Sequence, residues 1–199
     1  MGQRSQIYLR YSGKLIFANY YQWNYGERMI SRARWGIEWV KELVDEKYDF
    51  VFRDKRSIEQ MRRVFDVNFD MKDVALSCDI VKEWSEQFSD EPFNDVVFNG
   101  QDNNDGQLFI DIPDIRDGKI YYCFRDMHED TIMDAAQYMK WDLEDWEKSK
   151  FIKYDQKSAC RANIKAISEM ASLMTREQLD DFLNGDYEEQ RQYLEEDKT

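Results

Sequence analysis

The sequence predicts an α+β fold: an antiparallel sheet of four to six strands, helices packed on one face, and a helical C-terminal third. Three observations carry this expectation. Short alternating or branched runs, separated by Gly, Asn and Asp, fill residues 7–21 and 95–125. Apolar residues at steps of three and four mark 30–44 and much of the chain beyond 131. The 12 Phe, 12 Tyr and 6 Trp supply a large core despite a charged fraction of 35%.

Ile7–Tyr11 alternates, Ser12-Gly13 turns, and Lys14–Tyr21 is aromatic and branched, which reads as a β-hairpin. Asn24 is placed to cap a helix from Tyr25 to Glu46, with Ile30, Ala33, Ile37, Val40 and Val44 on its core stripe. At 100° per residue, Arg28, Arg32, Trp35 and Trp39 fall nearly opposite that stripe. Tyr48–Arg53 reads as a short strand, and Ser57 as the cap of a helix through Val64. Asp73–Phe88 reads as a helix, broken by the segment ending at Pro92. Asp95–Asn99, Gln107–Ile112 and Lys119–Arg125 read as strands joined by turn-rich segments. Thr131 is expected to cap a helix with Ile132, Ala135, Met139, Leu143 and Trp146 inward. A second helical run places Cys160, Ile164, Ile167, Ala171 and Met174 on one stripe. Thr175-Arg-Glu-Gln178 has capping-box form and opens a helix stopping at Asn184-Gly185. The expectation is one domain over 1–199, with an α+β body over 1–130 and an acidic helical part over 131–199.

Charge is unevenly shared. Residues 1–64 carry 13 Lys/Arg against 8 Asp/Glu, whereas residues 65–199 carry 15 against 33, giving +5 and −18 and the net −13. Such asymmetry points to an electrostatic partner. Three scattered cysteines fit reduced thiols, and the N-terminus has neither a signal-peptide core nor, with Gln6 at the sixth position, a myristoylation motif. Both point to the cytoplasm of a host cell.

Catalytic and metal motifs are poorly matched. A calcium loop with Gly106 at its sixth position would start at Gln101 and end at Ile112, without the carboxylates such a loop needs. Cys78, Cys123, His128 and Cys160 are the best set for a zinc site, though no C-x-x-C pair is present and each cysteine also fits an apolar stripe. No cofactor or metal is expected. A metal-dependent nuclease would have to use carboxylates such as Asp105, Asp111 and Asp114. A dimerising module would use Trp35 and Trp39 at a hydrophobic contact. The Arg28, Arg32, Trp35 and Trp39 face could instead anchor a protein groove or stack bases. The expectation is that both tryptophans pack into the core while the guanidinium groups stay available. On the acidic side, Asp142, Glu144, Asp145 and Glu147, then Glu188, Glu189, Glu195 and Glu196, could imitate a row of phosphates.

Met1-Gly-Gln-Arg-Ser-Gln-Ile-Tyr8 followed by Tyr21-Gln-Trp-Asn-Tyr25 resembles a recurrent start among small proteins of phages and mobile elements, over about 40 of the 199 residues. In size, acidity and lack of an enzyme signature the chain is also similar to anti-CRISPR proteins of phages of Gram-positive bacteria. That resemblance implies a non-enzymatic inhibitor whose acidic surface occupies the cationic channel of an RNA-guided nuclease.

Overall fold

The computed structural model describes residues 4–66, 77–101, 106–126, 130–139, 148 and 154–187. The fold is α+β. Strands β1 (Arg4–Tyr11) and β2 (Lys14–Gln22) form the expected hairpin, with Ser12 at φ 49° and Gly13 at φ 78°. Both central turn residues sit at positive φ, which matches the right-handed twist of the flanking strands. Helix α1 (Glu27–Asp45) follows, then a 3-10 turn (Asp49–Phe52) and α2 (Lys55–Asp66). Strand β3 (Cys78–Asp79) leads into α3 (Ile80–Gln87), and a π-helical turn spans Asp95–Asn99. Strand β4 (Gln107–Ile112), a 3-10 turn (Ile115–Asp117), β5 (Tyr121–Asp126) and β6 (Thr131–Met133) come next. The last described elements are α4 (Ala135–Tyr138), α5 (Tyr154–Met170), β7 (Ser172–Leu173) and α6 (Arg176–Leu183).

The sheet runs β3-β2-β1-β4-β5-β6, and β7 shares the outer edge of β5 with β6. Four pairings are antiparallel, but β1–β4 and β5–β7 are parallel, so the sheet is mixed rather than antiparallel. The chain leaves β2, builds helices, and returns on the far side of β1, a crossover long enough for parallel pairing.

Helices also cover both faces, not one. On the first face, Ile7, Leu9, Leu108, Ile110 and Phe124 meet α1, α2, α4 and α5. On the second, Tyr8, Phe109 and Cys123 meet α3, the π-helical turn and α6. The cause lies in β1 and β4, whose residues 5–11 and 107–112 are all buried. Central strands buried on both sides need two covering layers.

Several local expectations fail for stated reasons. Asn24 does not cap α1; it is buried, and its amide donates to Ser5 Oγ at 2.7 Å. Residues 49–52 coil instead of extending, which seats Phe52 on Tyr11 with ring centroids 4.4 Å apart. Asp54, not Ser57, caps α2: its carboxylate accepts from Ser57 N at 2.9 Å. The helix expected from Asp73 begins at Ile80, because Cys78 and Asp79 pair with β2 and Asp79 accepts from Val81 N and Lys82 N. Residues 67–76, including Val74, lie outside the described set.

Asp95–Asn99 is helical despite its branched residues, because Val97 and Phe98 are wholly buried in the second-face core. Thr131 pairs with β5 rather than capping a helix, and Asp134 forms the capping box with Gln137. Leu143 and Trp146 are not described. In α5, Cys160 and Ile167 face the core as expected, but Met174 belongs to the opposite core cluster. The Thr175 capping box is present, with Thr175 N donating to Gln178 Oε1 at 2.8 Å and Gln178 N to Thr175 Oγ1 at 3.2 Å.

Candidate functional site

The second face of the sheet is built around buried polar side chains. Along β1, residues of one parity, Ile7, Leu9 and Tyr11, enter the first core, so Gln6, Tyr8 and Arg10 face the other way. The same alternation along β4 and β5 presents Gln107, Phe109, Asp111, Cys123 and Arg125. Arg10 and Asp111 are register partners in the parallel pair, which sets their side chains shoulder to shoulder. Arg10 Nε donates to Asp111 Oδ1 at 2.9 Å and Nη2 to Oδ2 at 2.8 Å, a two-pronged ion pair. Their side chains are only 7% and 5% exposed.

Helix α6 closes over this pair. Arg10 Nη1 donates to the Asp181 carbonyl at 3.1 Å, its Nη2 meets Asp181 Oδ2 at 2.8 Å, and the guanidinium lies 4.6 Å from the Phe182 ring centre. Burial works against the Arg10 charge, but Asp111 and then Asp181 outweigh it and hold the guanidinium protonated. Burial likewise pushes the neighbouring Tyr187 hydroxyl up to about 12.

A second polar group secures the other end of the layer. Gln107 donates to the Phe98 carbonyl at 2.8 Å and to Tyr8 Oη at 3.2 Å, while Tyr8 donates to the Val97 carbonyl at 2.8 Å. Arg125 Nε donates to Asp130 Oδ1 at 2.9 Å, and Arg176 Nη2 to Asp130 Oδ2 at 2.6 Å. These arginines draw the Asp130 carboxyl below its ordinary value, Arg176 contributing most.

The layer so anchored is acidic. Residues 80–101 and 174–187, which cover the second face, carry nine Asp/Glu against two Lys/Arg, a net of −7. Residues 27–66 and 154–170, which cover the first, carry eleven against thirteen, a net of +2. Glu86, Asp90, Glu91, Asp95, Glu177, Asp181 and Asp186 are exposed. Among the described residues, the sheet therefore separates a negative covering layer from a nearly balanced one. Between α6 and the sheet opens a pocket of about 330 Å³, lined by Arg10, Gly13, Asp111, Pro113, Glu177, Gln178 and Asp181.

The sequence-derived candidates are scattered against this geometry. Asp142, Glu144, Asp145, Glu147, Glu188, Glu189, Glu195 and Glu196 all lie outside the described residues, as do His128 and Asp105. Arg32 is not available to a partner: it is 1% exposed, its Nε donates to Asn24 Oδ1 at 3.0 Å, its Nη1 to the Phe65 carbonyl at 2.6 Å, and it lies over Tyr21. Helix α2, which packs Phe65 against Gly36, covers the side of α1 that the helical wheel leaves open. Arg28 is half-buried and donates to the Trp23 carbonyl at 3.4 Å. Trp39 packs against the first core, whereas Trp35 is 41% exposed under the Arg34 guanidinium.

The cysteines do not converge. Cys123 and Cys160 sit in cores on opposite faces of the sheet, where burial pushes their thiols up to about 12 and 11, and Cys78 lies in edge strand β3. Asp111 is bound to Arg10, and Asp114 is turned to Arg116, which holds its carboxyl down to about 2. Of the three carboxylates of the nuclease reading, the two that are described thus serve separate arginines, and Asp105 lies outside the described residues. The polar face of β1, β4 and β5 was legible as alternation in the sequence, yet alternation alone reads as a solvent face. Only pairing Arg10 with Asp111 across the sheet reveals it as buried. Compared with family models, with curated proteins and with solved structures, the chain matches none.

Proposed function

We propose that this protein is a non-enzymatic binding module that covers a cationic nucleic-acid channel with the acidic helical layer of its second face. The partner class is a nucleic-acid-processing effector, an RNA-guided nuclease of the CRISPR type being the leading case, in the cytoplasm of a phage-infected host. The observation that supports this reading is the sorting of charge by the sheet, −7 on one covering layer against +2 on the other. Carboxylates spread only for solvation would have no reason to favour one face. Gathered on one, they present a field that steers a cationic groove toward it and repels nucleic acid.

The test is competition. An RNA-guided nuclease is mixed with increasing protein, and loading of labelled target DNA is followed by fluorescence anisotropy. Loading should be blocked at low salt, with inhibition weakening as salt rises, because exposed charges are screened beyond about 8–10 Å at physiological ionic strength. Inhibition indifferent to salt, or divalent-metal-dependent cleavage of DNA or RNA by the purified protein, contradicts the proposal.

A further inference from the structure

The pocket between α6 and the sheet has a composition that selects its occupant. It sits at the C-terminal ends of the parallel strands β1 and β4, next to the Ser12-Gly13 turn and Pro113, where open sheets leave crevices. Its floor is the buried Arg10–Asp111 pair, so the floor is nearly neutral and already hydrogen-bonded. Its rim is not neutral. Glu177 and Asp181 stand one turn apart on the same side of α6, and both are exposed, with one oxygen of Asp181 already meeting Arg10 Nη2 at 2.8 Å. Counting the lining groups, three carboxylates face one guanidinium. At about 330 Å³ the space is at the small end of ligand pockets, fit for one side chain rather than a polynucleotide or a large cofactor.

We infer that this pocket receives a basic side chain, arginine or lysine, projected by the cationic partner, with Asp181 and Glu177 pairing its charge and Pro113 contacting its stem. An anion would meet the surplus of carboxylate, and a neutral side chain would leave that surplus unanswered. A charged head on an apolar stem matches a mostly apolar crevice that carries carboxylates at its rim. Seated in this half-open crevice, an arginine would be one of the residue types that anchor protein interfaces. This inference rests on the binding reading above and names the point where the partner is gripped.

The experiment uses the isolated protein and three probes: the Nα-acetyl amides of arginine, lysine and citrulline. Nitrogen–proton NMR follows Arg10 Nε–H and the backbone amides of Gly13, Glu177 and Gln178. Saturable shifts confined to these signals are expected with arginine and lysine and not with the neutral citrulline. Glu177→Gln and Asp181→Asn should each weaken the arginine probe by roughly two- to fivefold, the range for one partly exposed pair. Glu177 makes no contact with Arg10 in the ion pair, so Glu177→Gln keeps the test valid if Asp181→Asn disturbs the fold. Equal shifts with citrulline, shifts centred elsewhere, or no shifts overturn the inference. A silent pocket with effector inhibition intact sinks only this inference; a filled pocket with no inhibition sinks only the binding reading.

Discussion

Arg10 and Asp111 each have a side chain that prefers water, and each is almost fully enclosed. Their enclosure is tolerable because each supplies the other's charge and two hydrogen bonds. Replacing one partner therefore strands the other. Arg10→Met should cost about 3–5 kcal/mol in urea unfolding, while Arg10→Met combined with Asp111→Leu should cost much less. A double-variant loss equal to the sum of the Arg10→Met and Asp111→Leu losses would mean the pair is not coupled. A different constraint acts at Gly36, where an added Cβ would run into the Phe65 ring. Gly36→Ala should force α2 outward and lower the thermal midpoint despite alanine's better helix propensity. These residues also show why the polar positions were misread. Arg32 belongs to a polar stripe on a helical wheel, and nothing in its own neighbourhood announces that Phe65, 33 positions later, will roof it over.

Helix α6 was legible from sequence almost to its ends, because Thr175 and Gln178 carry a local signal that needs no tertiary context. Thr175→Ala should cost about 1 kcal/mol by urea titration and loosen the wall of the pocket. The π-helical turn at Asp95–Asn99 was not legible: Val96, Val97 and Phe98 favour strands, and burial against Tyr8 and Phe109 overrides them. The same burial explains the two-sided sheet. Alternating Gln6, Arg10, Gln107 and Asp111 imitate a wet face, and only the helical layer above them makes it dry.

The junction of β5, β6 and α6 adds a pH signature. Asp130, clasped by Arg176 and Arg125, has a folded value below its ordinary 3.8. A group depressed on folding stabilises the fold above its unfolded value and stops doing so as pH falls through the folded one. Its contribution should thus be complete above about pH 3.8 and be lost only as pH falls from there through the lower folded value. Arg176→Gln should lower the urea midpoint at neutral pH and narrow the gap between neutral and acid midpoints. An unchanged gap would show that Arg176 does not hold the carboxylate.

At the scale of the molecule, the net −13 is less informative than the contrast between the two described covering layers, −7 against +2. Sequence revealed the imbalance between the first 64 residues and the rest, but not that residues 80–101 and 174–187, some 70 positions apart, form one layer. That juxtaposition comes from β1 and β4, which carry Tyr8 and Phe109 to the same core cluster as α3 and α6. The most direct measurement compares two neutralised variants for affinity to the cationic effector at low salt. One carries Glu86→Gln, Asp90→Asn, Glu91→Gln and Asp186→Asn on the second face; the other carries Glu42→Gln, Asp45→Asn, Glu46→Gln and Glu59→Gln on the first. The second-face variant should lose most of its affinity and its salt dependence, and the first-face variant should keep both. Equal losses in the two variants, or none in either, would contradict the assignment of binding to the acidic layer.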